Sequence, residues 1–371
     1  MKKAAGQPFE KKFTALLLKW NREKNRRQMP WKGEKDPYKI WLSEIMLQQT
    51  RVEQGLKYYH NFIKTFPLIQ HLADAPDEKI YKLWEGLGYY TRCRNLIATA
   101  RYISREKQGR FPSTYDEIRS LKGIGPYTAA AIGSFAFNLP FAVLDGNVFR
   151  VLARVFGIAI PTDSSKGKKL FSSLAQDLLD KNQAGIYNQA IMDYGAMICK
   201  PAAPLCDQCV FKKFCVAFIQ GRVNELPVKE KKINIKKRWF YYLVMEYKNE
   251  VLITQRTAKD IWQHLFEFPL VETGEEIDRN KMIRLALKKG WLERNDYKVN
   301  GVSPVFRQQL SHQLITGQFL QLKLKRRIQA PAGSKWVRKQ GLAQFAFPRF
   351  VHQWLRESTK SQSRSDLVIK G

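Results

Sequence analysis

The sequence predicts two domains of different class, an all-α domain over residues 1–221 followed by an α+β domain over 238–357. Three observations carry this. A chain of 371 residues is longer than one domain usually needs. Apolar residues recur at helical spacing up to a cysteine-rich stretch near position 200, and little before it reads as strand. After "GRVNELP" the texture changes to β-type runs, "WFYYLVMEY", "VLITQR" and "FLQLKLK". The basic stretch "VKEKKINIKKR" has no core pattern and marks a linker, set at 222–237. The closing "TKSQSRSDLVIKG", residues 358–371, reads as disordered.

Taken in order, residues 8–30 are expected to form an amphipathic helix with Phe9, Phe13, Leu16, Leu17 and Trp20 at helical spacing. "DPYKIWLSEIMLQQT" opens the next helix, with Asp36 as N-cap and Pro37 in its first turn. Glu44 shares an apolar face of that helix with Ile40 and Leu47. A half-buried carboxyl has its pKa raised and can donate a proton near neutral pH; the plain alternative is a surface glutamate. "SLKGIGPYTAAAIGSFAF" reads as a helix end, a glycine-bracketed turn and a second helix opened by Pro126. Gly123 and Gly125 would let backbone amides point outward at a helix N-terminus, an anion site, unless this is an ordinary helix–helix turn. Asp145, in "LDGNVFRV", would cap a further helix, and capping is the common role of such an aspartate. In the second domain, "KNE" separates the first two β runs as a hairpin would.

Charge points to a partner. Lys and Arg number 64 against 33 Asp and Glu, a net of +31, and a chain this basic is expected to meet a polyanion, nucleic acid before membrane. "MKKAAGQPFEKKF" shows no export signal and no apolar run approaches the roughly 20 residues that span a bilayer, so a reducing cytoplasmic setting is expected. Four of the five cysteines, Cys199, Cys206, Cys209 and Cys215, fall within "CKPAAPLCDQCVFKKFC". Intervals of six, two and five intervening residues let one loop wrap four thiolates around a metal centre. An iron–sulfur cluster and zinc both fit, the cluster better because only one CxxC pair is present. Lys200, Lys212 and Lys213 surround this loop, while Cys93 reads as a small packing residue.

The hairpin, followed by an aspartate 18 residues beyond Tyr127, resembles the helix–hairpin–helix DNA glycosylases, and the cysteine spacing resembles the cluster loop of their endonuclease III branch. Within that branch "WLSEIMLQQT", "LWEGLGYYTRCRNL", "LDGNVFRV" and "MDYGAMIC" are similar to the adenine DNA glycosylases of the MutY type, which remove adenine mispaired with 8-oxoguanine. The resemblance covers nearly the whole chain, more weakly beyond residue 238. It implies a [4Fe–4S] cluster on the four cysteines, shaping a DNA-contacting loop. It implies that Glu44 protonates the imidazole ring of a flipped-out adenine and then activates water. Asp145 would stabilise or trap the sugar cation, with Tyr127 and Asn147 orienting both groups. Lyase members carry a lysine where Tyr127 stands, so a monofunctional hydrolase is implied.

The same resemblance assigns recognition. "MLQQT" and "GLGYY" would supply a wedge, Gln49, Leu87 and Tyr89 filling the gap with Thr50 among the DNA contacts. Arg27, Trp31, Leu47, Val52, Gln189 and Met192 would line the adenine pocket. The second domain resembles a Nudix-like 8-oxoguanine reader through "IWQHLFEFPLVE", but "TGEEIDRNKMIRLALKKG" lacks the clustered glutamates that hold magnesium, so nucleotide hydrolysis is not expected. Ser311 and His312 of "LSHQL" match the reading loop, with Leu310 where the family has phenylalanine. The implied partner is duplex DNA with 8-oxoguanine:adenine or guanine:adenine mispairs, bound by a monomer that makes no membrane contact. Two rivals are an endonuclease III-like enzyme acting on oxidised pyrimidines and a non-catalytic DNA-binding protein with a structural metal loop.

Overall fold

A computed structural model describes residues 9–230 and 234–368, with side chains described up to residue 358. Two compact units result, one of residues 1–74 with 95–232 and the other of 75–94 with 233–371. The first is helical. Its helices are α1 (Phe9–Lys24), α2 (Pro37–Leu47), α3 (Val52–Thr65), α4 (Ile69–Asp74) and, after α5 (Asp77–Trp84) of the other unit, α6 (Tyr90–Glu106). Then follow α7 (Tyr115–Ser120), α8 (Pro126–Phe137), α9 (Gly146–Phe156), α10 (Ser165–Leu178), α11 (Ala184–Met197) and α12 (Val216–Ile219). No strand precedes Lys236 among the described residues.

The expected starts are realised. The Asp36 carboxylate accepts from Tyr38 N at 2.9 Å and Pro37 is the first residue of α2. Pro126 opens α8 directly after Gly125. The core of this unit gathers Phe13, Leu17 and Trp20 of α1 with Val151 and Leu152 of α9 and Tyr194 of α11. Phe211, beyond α11, stacks on Phe13 at 4.4 Å between ring centroids. The first helix stops at Lys24 rather than continuing to residue 30. The Asn25 and Arg27 side chains leave the helix direction to bond Asp193 on α11, and that tertiary bonding outweighs helix propensity.

The second unit is an eight-stranded mixed sheet with α13 (Arg279–Lys288) and α14 (Arg349–Val368). Its strands are β1 (Lys236–Tyr247), β2 (Glu250–Gln255), β3 (Phe266–Glu267), β4 (Leu270–Thr273), β5 (Tyr297–Val302), β6 (Phe306–Gln309), β7 (Gln313–Leu324) and β8 (Ser334–Arg338). The path runs β3-β2-β1-β7-β5, with β4 on β1, β6 on β7 and β8 on β2. β1 and β2 form the expected hairpin, Tyr247 opposite Glu250. The pair β1–β7 is parallel, Lys236 opposite Gln313 through Glu246 opposite Lys323. β1 is buried on both faces, as a central parallel strand requires. Tyr241, Leu243 and Met245 meet Met282 and Ala286 of α13 on one face. On the other face Tyr242 stacks on Phe319, which stacks on Trp354 of α14 at 4.8 Å. Gly317 is glycine for space: a Cβ there would stand 1.9 Å from Phe240 O.

Three boundaries differ from the sequence reading. Residues 75–94 group with the sheet rather than with the helices around them in sequence. Lys82 Nζ donates to Phe345 O at 3.0 Å, and Glu85 accepts from Phe347 N at 2.7 Å and lies 2.6 Å from His352 Nε2. The start of the linker is fixed to the first unit, since Thr162 N donates to Val228 O at 3.0 Å and Glu230 N to Asp163 Oδ1 at 3.0 Å. The tail expected to be disordered is helical to Val368; residues 231–233 and 369–371 lie outside the described residues.

Candidate active site

Glu44 sits in the third turn of α2, 5% exposed, among the buried neighbours Ile40, Trp41 and Ile45. Burial pushes its carboxyl up to about 7, a hydrogen bond from the Tyr127 hydroxyl opposes the rise, and the negative charge of Asp145 adds to it. Tyr127 is the second residue of α8, and burial with Glu44 nearby drives its phenol well above the ordinary value, so it serves as a donor. Asp145 is the N-cap of α9. Its Oδ1 accepts from Asn147 N and Val148 N, both at 2.8 Å, and its Oδ2 from Asn147 Nδ2 at 2.8 Å. Burial raises this carboxyl too, but the Val148 and Asn147 hydrogen bonds and the Arg150 charge favour its anion. Two carboxyl groups thus share one site with unequal support for ionisation, Asp145 held by three donors and Glu44 by one.

Arg150 completes this arrangement and escaped the sequence reading. Its Nη2 donates to Asn147 Oδ1 at 2.8 Å and to Gly195 O at 2.7 Å, and its Nε donates to Cys199 O at 2.6 Å. Only glycine fits at 195, where a Cβ would come within 2.6 Å of Asn147 Cβ. The available signal was a charge set between Phe149 and Val151 in a helix whose apolar face is core.

The residues assigned to a base pocket fall on α2, α3, α11 and the turn before α2. Trp31, 8% exposed, meets Tyr59 edge-on at 5.3 Å, while Leu47, Val52 and Met192 are half-buried. Arg27 Nη1 and Gln189 Nε2 both donate to Asp193 Oδ1, at 2.9 and 3.0 Å. Asp193 was not singled out from the sequence. After α2, Gln49 is exposed with φ +55 and Thr50 N donates to Leu47 O at 3.1 Å.

In the turn before α8, Gly123 has φ +82, and a Cβ there would stand 2.7 Å from Asn95 Cβ. Gly125 is extended and open, and it caps α8 without a side-chain acceptor, so first-turn amides remain for an anion. In the second unit Leu310 N donates to Gln313 O at 2.7 Å, which leaves Ser311 and His312 exposed at the tip of the β6–β7 hairpin. Ser311 Oγ lies 2.6 Å from the hydroxyl of Tyr89, itself at φ +49 and 43% exposed. Leu87, assigned to the wedge, is 3% exposed.

Among the described residues no three His, Cys, Asp or Glu side chains are arranged as a metal site. The four thiols nonetheless feel one another: burial raises Cys215 to about 11, and Cys209, Cys199 and Cys206 each add to the rise. Donors also aim at sulfur. Tyr194 Oη donates to Cys209 Sγ at 2.9 Å and Arg154 Nη1 to Cys199 Sγ at 3.5 Å. Four soft ligands with hydrogen bonds to the sulfurs suit a thiolate-held cluster.

The family described as "HhH-GPD superfamily base excision DNA repair protein" matches residues 42–176, and a NUDIX domain matches 240–357. The adenine DNA glycosylase of Buchnera aphidicola subsp. Baizongia pistaciae (strain Bp) is 38% identical over 303 residues, 81% of this chain and 83% of the relative. That of Homo sapiens is 40% identical over 214 residues, 55% of this chain and 39% of the relative. The solved structure of a thermostable thymine-DNA glycosylase superposes with a TM-score of 0.53 and 30% identity, over 57% of this chain and 97% of its own. With a buried carboxyl pair on a helix–hairpin–helix frame, and 38% identity over most of both chains, the chain belongs to the adenine DNA glycosylase family of base excision enzymes.

Proposed function

We propose that the protein is a monofunctional hydrolase that removes adenine from 8-oxoguanine:adenine and guanine:adenine mispairs in duplex DNA, acting as a monomer in the cytoplasm. The observation that carries this reading is the pairing of Glu44, raised to about 7, with Asp145, whose anion three hydrogen bonds support. Once the base leaves the stack, Glu44 donates its proton to the adenine imidazole ring and weakens the glycosidic bond. The positive charge that grows on the sugar is stabilised or trapped by Asp145, and Glu44, now a base, activates the attacking water. Tyr127 holds the Glu44 carboxyl and Asn147 holds Asp145. Tyr127 has no amine, so no Schiff base with the sugar forms at this position.

Binding divides along the chain. The glycine turn at 123–125 takes a backbone phosphate, supported by the open N-terminus of α8. Gln49, Thr50 and Tyr89 contact the duplex, and Ser311 and His312 read the 8-oxoguanine, supported by their exposure; Leu87 is packed in the core at 3% exposure and is not a contact. Arg27, Trp31, Leu47, Val52, Gln189 and Met192 line the base pocket. Cys199, Cys206, Cys209 and Cys215 would hold a [4Fe–4S] cluster, whose contribution is to fold the loop that carries Lys200, Lys212 and Lys213 toward DNA. α13 has no Asp or Glu between Arg279 and Lys288, so the Nudix-like unit serves recognition rather than nucleotide hydrolysis.

The test is adenine release from duplexes with adenine opposite 8-oxoguanine, guanine or thymine, with borohydride added in parallel. Release opposite 8-oxoguanine and guanine, without a trapped covalent complex and with the strand intact until base treatment, is the expected result. Release of an oxidised pyrimidine instead, or efficient trapping, refutes the reading.

A further inference from the structure

We propose that Arg238 is a positioning residue for lesion recognition. Through the Gln313 side chain it fixes the residue that closes the β6–β7 hairpin, so that Ser311 and His312 meet the base opposite adenine in one defined geometry. The proposal rests on the reading above, in which those two residues read the 8-oxoguanine.

Arg238 lies near the start of β1, and its side chain is 7% exposed. Its guanidinium makes five hydrogen bonds, one for each N–H it carries. Nε and Nη2 donate to the two oxygens of Glu272, each at 2.7 Å. Nη1 and Nη2 donate to those of Asp260, at 2.9 and 2.6 Å. The remaining bond runs from Nη1 to Gln313 Oε1 at 3.0 Å. The ring of Phe240 faces the guanidinium, 4.8 Å away at its centroid.

The two carboxylates leave the cation no freedom. Glu272 belongs to β4, which pairs with β1 from Trp239 opposite Thr273 to Tyr242 opposite Leu270. Asp260 is itself held by Arg256 Nη2 at 3.0 Å. Two bidentate pairs fix the guanidinium plane, so the last N–H points in one direction. A buried N–H of a cation left without an acceptor costs more than an ordinary unmade hydrogen bond. Gln313 is therefore drawn to the arginine and not the reverse. A buried ion cluster adds little stability over an apolar replacement, and what this one specifies is the place of Gln313.

Gln313 in turn closes the reading loop. Its carbonyl accepts from Leu310 N at 2.7 Å and from Gln309 Nε2 at 3.2 Å, while Lys236 N donates to His312 O at 2.9 Å. Only residues 310–312 lie between the end of β6 at Gln309 and the start of β7 at Gln313. Ser311 and His312 are exposed, so their placement depends on how the ends of this turn are held. 8-Oxoguanine differs from guanine by an oxygen on carbon 8 and a hydrogen on nitrogen 7. Telling them apart rests on a few hydrogen bonds, whose strength falls steeply with misalignment.

The test measures single-turnover adenine release by the full chain from duplexes with adenine opposite 8-oxoguanine or guanine, and takes the ratio of the two rates. Gln313→Leu removes the acceptor, whereas Gln313→Glu keeps an oxygen that can face the guanidinium. Arg238→Lys keeps a charge between Asp260 and Glu272 but lacks the planar fork that reaches a third partner. Gln313→Leu and Arg238→Lys should each lower the ratio by about three- to tenfold, the worth of one hydrogen bond, with release opposite guanine within about twofold of wild type. Combined, they should lower it no further than the larger single effect, since both break the same contact. Gln313→Glu should retain the wild-type ratio.

A wild-type ratio in Gln313→Leu, whatever its thermal stability, would mean a structural role only and overturns the proposal. Losses that add in the double variant overturn it as well. If Arg238→Lys does not fold, the two Gln313 variants decide: equal ratios in them overturn the proposal, and a low ratio in the leucine variant alone supports it. Ser311→Ala combined with His312→Ala separates this inference from the reading beneath it. If that variant keeps the wild-type ratio, the reading falls and the inference with it. If it lowers the ratio while Gln313→Leu does not, the inference alone falls.

Discussion

Replacing Glu44 with glutamine should stabilise the protein at alkaline pH while nearly abolishing its chemistry. The side chain keeps its shape and its contact with Tyr127 but no longer titrates. A carboxyl raised from its ordinary 4.5 to about 7 binds a proton more tightly folded than unfolded. Its stabilising contribution is complete below about 4.5 and is lost as pH rises through about 7. At about 1.4 kcal/mol per decade the whole loss is about 3 kcal/mol, most of it falling between about pH 4.5 and about pH 7.5. Glu44→Gln escapes that loss, so its stability relative to wild type should improve by about 2–3 kcal/mol across the window. Single-turnover adenine release should drop by about 10² or more over the same range. In the wild type, release should decline above about 7 as the acid ionises, and at low pH as Asp145 takes up a proton through its raised value. Urea unfolding at both ends of the window, with single-turnover rates across it, checks both halves. A stability difference that does not change with pH, or a Glu44→Gln rate near wild type, would refute the assignment of a buried, proton-bearing Glu44.

Three further outcomes follow from the same geometry. Asp145→Asn keeps the N-cap on α9 and removes the charge, so release should fall by about 10² or more while duplex binding holds in a mobility-shift assay; a rate near wild type would misplace the cation stabiliser. Anaerobically purified protein should be yellow-brown, with about four iron and four sulfide per chain, and stoichiometric zinc without colour would replace the cluster by a structural zinc. Ser311→Ala combined with His312→Ala should reduce the preference for 8-oxoguanine over guanine by about tenfold, leaving release opposite guanine within about threefold of wild type. An unchanged preference would move lesion reading away from the β6–β7 hairpin.

The parts of this fold legible in the sequence are those set by neighbours in the chain. Asp36 and Pro37 start α2, Gly125 and Pro126 start α8, and "KNE" turns β1 into β2 because each device acts within a few residues. What escaped depends on partners far along the chain. Residues 75–94 read as one more helical stretch, yet Lys82 and Glu85 take their partners at Phe345, Phe347 and His352. The two-residue β3 and the short β4, β6 and β8 carry too few residues to show a period, and they exist because long neighbouring strands offer them a ladder.

The candidate site shows the same division. Glu44 could be singled out because a carboxyl on an apolar helix face breaks the pattern around it, and burial without a salt-bridge partner is what makes it an acid near neutral pH. Arg150 and Asp193 break the pattern in the same way, one between Phe149 and Val151, the other between Met192 and Tyr194. A buried charge costs several kcal/mol unless it is paired, so each such exception announces a partner without naming it. Here the partners are Asn147 and the Cys199 and Gly195 carbonyls for Arg150, and Arg27, Lys32, Asn25 and Gln189 for Asp193. Both sets include residues assigned a role at the base or the sugar. Two charges held in the core therefore fix their neighbours: Arg150 through Asn147 the Asp145 carboxylate, and Asp193 the Gln189 amide.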